Sequence, residues 1–216
     1  MLERMDAFFE RRLEGYDLHM MTHIEGAGEF YPFTAERLPQ TPEATVLDLG
    51  CGTGLELEAY FKLNPTARVT GIDLSAGMLE ALRKKIANPA LTLRQGSYFD
   101  LDLGENSFDA AVSVESLHHF TKEEKIGLYK KVKNALKPGA YLILTDYFAA
   151  SDKEERDFRA ELLRLKREQG IDDGAFYHYD TPLTVAHETQ ALLEAGFDRV
   201  EVLKSWGATC TLWAGR

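Results

Sequence analysis

Residues 46–54 read VLDLGCGTG: an apolar run carrying a carboxylate near its end, then glycines at alternate positions, Gly50, Gly52 and Gly54. Val46, Leu47 and Leu49 have the character of a short buried strand, and positions without side chains directly after a strand let backbone N–H groups lie against a ligand. A plain strand-to-helix turn is the competing reading, because an isolated Gly-x-Gly fragment is weak evidence. A dinucleotide fingerprint needs G-x-G-x-x-G, but Leu55 stands where the third glycine belongs, so the spacing here is G-x-G-x-G.

The next strand decides between these readings. Nineteen residues past Gly54, VTGIDLS carries Asp73 at the end of a second apolar run. In a parallel sheet this carboxylate stands beside the glycine loop, where it can accept two hydrogen bonds from a ribose diol, and the spacing favours that role over a buried structural aspartate.

Further along, strands over 45–49, 68–73, 91–96, 108–114 and 140–147 alternate with helices over 54–63, 76–87 and 122–136, which implies a parallel sheet. Ser75 is placed to cap the second helix, Thr121 with Glu124 forms a capping-box pattern, and Lys137-Pro138-Gly139 ends the third helix. Ser151 with Glu154 opens a helix over 152–169 whose Phe158, Leu162 and Leu165 share one face. A last helix starts between Thr181 and Thr184 and ends at Gly196, and strands over 197–204 and 207–214 pair antiparallel. Met5, Phe8, Phe9, Leu13 and Tyr16 predict an amphipathic helix over 3–16, followed by a Gly/Pro-punctuated stretch to Pro42. The expectation is a single α/β domain: a lid segment 1–42, a ligand-binding core 43–150, an inserted lid helix and loop 151–183, and a C-terminal helix with two strands 184–216.

A chain of 216 residues with 44% hydrophobic content can bury a sizeable core. The net charge of −10 disfavours nucleic acid as a partner, since that affinity rests on Lys and Arg neutralising phosphates. Cys51 and Cys210 form no disulfide framework and fit a reducing compartment. No stretch has the length of a signal peptide or a membrane span, so the chain reads as cytoplasmic.

These motifs resemble the class I S-adenosylmethionine-dependent methyltransferases. The match runs through VLDLGCGTG, GIDLSAGML, SFDAAVSVESLHHF and LKPGAYLILTDY, covering residues 45–147. It implies a three-layer Rossmann-like architecture with a seven-stranded, mostly parallel sheet and an antiparallel last strand, and S-adenosylmethionine as the cofactor. Asp48 and the backbone of Gly50, Cys51, Gly52 and Gly54 would hold the methionine moiety, Asp73 the ribose, and Leu74 and Met78 the adenine. Many members carry an acidic residue after the glycine ending the third strand; RQGSYFDLD has Ser97 there, so Ser97 with Tyr98 is expected to serve instead. Glu115, leaving the 108–114 strand at the same edge, joins the cofactor set.

Methyl transfer is in-line displacement, and much of its catalysis is alignment. An acceptor hydroxyl, thiol or protonated amine also loses a proton, and His118 or His119, at the carboxyl edge of the sheet, is the expected base. His19, His23, His178 and His187 show no metal pattern, HETQA lacks the second histidine of H-E-x-x-H, and the adjacent His118 and His119 suit one ion poorly, so no metal is expected. EGYDLHMMTH and GAFYHYDTP concentrate aromatic and polar residues outside the matched region, and Tyr16, His19, Tyr177 and His178 are the candidate substrate contacts. The expected function is methyl transfer to a small-molecule acceptor. A protein or RNA methyltransferase, or a non-catalytic cofactor-binding module, are the alternatives.

Overall fold

The computed structural model describes residues 1–171 and 175–216. Seven strands form one sheet: β2 (Thr45–Leu49), β3 (Arg68–Asp73), β4 (Leu91–Gln95), β5 (Phe108–Val114), β6 (Leu136–Tyr147), β8 (Arg199–Trp206) and β9 (Thr209–Gly215), in the order β4-β3-β2-β5-β6-β9-β8. β2 pairs in parallel with both β3 and β5, and β5 with β6, while β9 runs antiparallel to β6 and to β8. The expected architecture is therefore observed, with the last strand of the chain inserted antiparallel inside the sheet.

Side-chain alternation along the strands builds a core on each face. On one face Val46, Val69, Ala110, Val112 and Ile143 pack under α3 (Ala27–Glu36), α4 (Leu55–Leu63) and α5 (Ala76–Lys85). On the other, Leu47, Leu49, Ala111, Leu142 and Leu144 pack under α6 (Lys122–Ala135) and α8 (Val185–Glu194). The helices start where the sequence marks them. Ser75 accepts from the Met78 N–H, Thr121 and Glu124 form both halves of a capping box, and Ser151 caps α7 (Asp152–Gln169).

Because β2 leads through β3 and β4 on one side and the chain then returns to β5 on the other, the order reverses between β2 and β5. A crevice opens at the carboxyl ends of the strands at such a point.

The N-terminal region departs from expectation. The single helix over 3–16 is α1 (Met5–Arg12), preceded by β1 (Glu3–Arg4) and separated by Gly15, at φ 79°, from α2 (Tyr16–His23). A left-handed backbone at Gly15 ends the first helical run, which periodicity alone did not register. The stretch to Pro42 is not loop throughout, since it contains α2 and α3. Phe30, Tyr31, Thr34 and Ala35 of α3 are buried, so α3 belongs to the core. α1 packs on α5 and on β7 (Tyr177–His178), which pairs antiparallel with β1, while α7 buries none of its residues. Of the loop expected after α7, residues 172–174 lie outside the described residues.

Candidate active site

The glycine loop wraps the end of β3. The Gly50 and Cys51 N–H groups donate to the Ile72 carbonyl at 2.8 and 3.1 Å, and the Gly52 N–H donates to Asp73 Oδ2 at 2.9 Å. Gly50, Gly52 and Gly54 all have positive φ, 77°, 47° and 75°. A Cβ at Gly50 would collide with Ser116 Oγ, and one at Gly54 with Leu82, so the backbone lies closer to its neighbours than any side chain permits. The other oxygen of Asp73 accepts from the Ser75 N–H at 2.8 Å.

Around this loop lies an excess of buried acid. Asp48 is fully buried, and neither of its carboxylate oxygens has a hydrogen-bond partner among the described residues. Burial, then the neighbouring Glu56 carboxyl, pushes Asp48 well above the usual carboxylate range. Burial also raises Glu56 and Asp73, the latter against the opposing pull of the Ser75 and Gly52 N–H groups. A carboxylate stripped of water without a partner is costly, and a bound cation removes that cost. S-adenosylmethionine, with a sulfonium and an ammonium against one carboxylate, is a net cation, so these residues fit it.

The remaining cofactor candidates surround the same loop. Met78 is buried on α5 beside the half-buried Leu74. Ser97 Oγ accepts from the Phe99 N–H at 3.1 Å, and the buried Tyr98 reaches across to Ser116 Oγ at 3.2 Å. Cys51 turns its sulfur toward Gly71, leaving only backbone for a ligand.

The N-terminal helices span this crevice. Glu10 of α1 accepts from Ser75 Oγ at 3.2 Å and from the Gly77 N–H at 3.0 Å, and Asp17 of α2 accepts from Thr53 Oγ1 and pairs with Lys85. Between them Tyr16 is held near Asp73, Glu56, Glu115 and Asp17; burial first, then these carboxylates, raise its hydroxyl pKa.

Adjoining is a cavity of about 800 Å³ whose wall includes Tyr16, His19, Glu115, His118, His119 and His178. It thus gathers candidates from both the N-terminal and the inserted segments. Tyr177 is not part of the lining; it is paired with Arg4 in the β1–β7 ladder. His178 stacks on Phe8 with ring centroids 3.4 Å apart, and burial, reinforced by His119, lowers it to about 4.

The two histidines after β5 occupy a 3₁₀ turn (Leu117–His119) and differ in state. His118 Nδ1 meets Asp146 Oδ1, whose partner oxygen accepts from the Leu117 N–H at 2.9 Å, and His118 Nε2 faces Asp180 Oδ1 at 3.7 Å. Burial works against a charge on His118, yet Asp146 by charge and hydrogen bond outweighs it and lifts His118 to about 9. His119 is lowered, by burial and then by the charge of His118. Its Nδ1 faces two acceptors, Asp180 Oδ1 at 3.2 Å and the Tyr179 carbonyl at 3.3 Å, so the proton sits on Nδ1 and the lone pair on Nε2. The adjacent histidines converge on one carboxylate: both reach Asp180. Burial opposes ionisation of Asp180, but His119 and His118 hold it at about 2. The three groups also present ligand atoms within 4.8 Å of one another, a span a divalent cation could bridge.

Sequence reasoning passed over Asp146, Asp180, Glu10, Asp17 and Glu56. Asp146 stands in LILTDY at a strand's carboxyl end, a position that in this fold faces the crevice, and Asp17 and Asp180 stand within EGYDLHMMTH and GAFYHYDTP; Glu10 and Glu56 carry no local signal.

The reversing sheet, the glycine loop with Asp73 beside it and the adjoining cavity are those of the class I methyltransferase fold. Residues 46–139 match the family described as "Methyltransferase domain". Demethylmenaquinone methyltransferase of Symbiobacterium thermophilum is 30% identical over 143 residues, 62% of this chain and 55% of that protein. "Probable tRNA methyltransferase 9B" of Mus musculus is 31% identical over 123 residues, 56% of this chain and 25% of that protein. The match thus spans about half or less of these relatives' lengths. Human N-acetylserotonin methyltransferase, solved in complex with SAM, superposes with a TM-score of 0.64 over 97% of this chain and 55% of that chain, at 17% identity.

Proposed function

We propose that the protein transfers a methyl group from S-adenosylmethionine to a small molecule bound in the 800 Å³ cavity. The observation that carries this reading is the unpartnered, fully buried Asp48 carboxylate beside the glycine loop, next to a cavity that shares Tyr16 and Glu115 with the same crevice. Asp73 would take the ribose, and Leu74, Met78, Ser97 and Tyr98 the adenine. The cofactor supplies a sulfonium-activated methyl carbon open to in-line attack.

His119 is the group suited to receive the acceptor's proton, at Nε2, because it is neutral near pH 7 with its other nitrogen committed. His118 acts through its charge, holding Asp180 in place beneath His119. The N-terminal helices exclude water from the crevice and open for exchange. A cavity of this size suits a drug-sized molecule, and together with the net charge it supports a metabolite over RNA. The two cysteines are buried and unpaired, which supports a reducing compartment, and no helix among the described residues is long and apolar enough to cross a membrane.

The test is calorimetry with S-adenosylhomocysteine, followed by incubation of protein and S-adenosylmethionine with a fractionated metabolite pool. Binding in the micromolar range and acceptor-dependent formation of S-adenosylhomocysteine are expected; a protein that binds neither cofactor form refutes the proposal.

A further inference from the structure

Glu115 has a backbone that few glutamates adopt. Its φ of 49° lies in the left-handed region, where a side chain of this kind is uncommon and costs energy. The surroundings impose it. The Glu115 N–H donates to the Thr145 carbonyl at 2.8 Å and its Oε1 accepts from Thr209 Oγ1 at 3.0 Å, so β6 and β9 together hold the residue at the cavity wall. An observed outlier of this kind argues toward function.

What the carboxyl lacks is a cation of its own. No ion pair to it is formed among the described residues, and His118, with a nitrogen within 4.8 Å of a Glu115 oxygen, is engaged by Asp146 and faced by Asp180. At the cavity's edge Arg11 is paired with Glu3, and Arg12 lies over the Phe8 ring at 3.9 Å. The wall carries the carboxyl groups of Glu14, Glu25, Glu115 and Asp180 against Arg11, Arg12 and the His118 imidazolium, with Asp146 buried behind it. Burial raises Glu115 to about 7, with His118 opposing and Asp146 adding to the shift, so it waits partly protonated for a counter-charge. The wall also carries the aromatic side chains of Phe9, Tyr16, Tyr147 and Trp206, and an aromatic ring attracts a cation at its face.

We propose that the acceptor is an amine: a primary or secondary ammonium on an aromatic or other apolar body, recognised through Glu115 and the surrounding rings. One ammonium N–H donates to the Glu115 carboxylate. A second gives its proton to His119 Nε2, the N–H bond breaking as the ring gains N–H, which leaves the nitrogen lone pair free. An anionic acceptor beside His119 would instead face Glu115 and Asp180, with the His118 imidazolium already engaged by Asp146. This proposal rests on the methyl-transfer reading and sharpens it.

The experiment separates the two. With the protein saturated in S-adenosylhomocysteine, calorimetry measures phenethylamine, 4-ethylphenol and 3-phenylpropionate, three probes with one ring and different ends. Expected is an affinity for phenethylamine at least tenfold above that for either other probe, and loss of that preference in Glu115→Gln, compared at cofactor saturation so that any change in cofactor affinity drops out. Rescue of the preference by Glu115→Asp supports a charge role over a structural one. Equal binding of phenethylamine and 4-ethylphenol, tightest binding of 3-phenylpropionate, absence of binding by all three at millimolar concentration, or an unchanged preference in Glu115→Gln overturns the amine assignment and leaves methyl transfer standing. Failure of S-adenosylhomocysteine to bind the wild-type protein overturns both.

Discussion

His118 Nδ1 lies 2.5 Å from Asp146 Oδ1, a buried contact between residues 28 positions apart that joins the turn after β5 to the end of β6. Neither side chain is more than 10% exposed. A pair this deep gains from charge only because both members are ionised and hydrogen-bonded, and removing one member leaves the other stranded.

The protonation of His118 makes stability depend on alkaline pH. Its pKa rises from an ordinary 6.5 to about 9 in the folded protein, so its contribution is complete below 6.5 and is lost as the pH climbs through 9. Between pH 7 and 10 the wild type is expected to lose about 2 kcal/mol more than His118→Asn does, read by urea unfolding at each pH. Parallel losses in the two proteins would show that His118 does not carry the charge.

The two histidines are expected to separate in kinetics. His119→Asn removes the lone pair on Nε2 and should lower turnover by about 10²–10⁴-fold while leaving cofactor affinity nearly intact. His118→Asn acts at one remove, and its smaller loss should come with a shifted pH profile. A larger loss for His118→Asn at neutral pH would transfer the base role to the His118–Asp146 pair. Near-normal turnover in the double variant from pH 6 to 9 would remove both.

Asp73→Ala deletes the acceptor proposed for the ribose diol, and the Gly52 and Ser75 N–H groups lose their partner with it. Cofactor affinity should fall by one to two decades, about 1–3 kcal/mol, in a protein that still folds. An unchanged affinity by calorimetry refutes the assignment of Asp73.

A truncation can test the covering helices, provided that it stops at the right place. Removing residues 1–33 would take Phe30 and Tyr31 out of the core and is expected to prevent folding. Removing residues 1–23 takes α1 and α2, whose buried residues are Met5 and Met20 alone. The shorter deletion should leave a cooperative thermal transition and measurable cofactor binding, with transfer to the acceptor lost. Undiminished transfer would place the acceptor site in the core loops by themselves.

Much of this was legible before any coordinates because it is local. The apolar run of β2, the alternating glycines, Asp73 at a strand's end and the caps Ser75, Thr121 and Ser151 each act through neighbours a few positions away. The reversal that opens the crevice also follows from the order of strands and helices. The pairings that give the site its chemistry follow from no such pattern. Whether Asp146 meets His118 depends on the register of β6 against β5, Asp180 reaches His119 because the segment after α7 folds back onto the 3₁₀ turn, and Glu10 and Asp17 find the crevice because α1 docks on α5. An amphipathic stripe states that a helix must bury one face; packing among distant segments chooses what it is buried against, and so decides which carboxylates share a cavity.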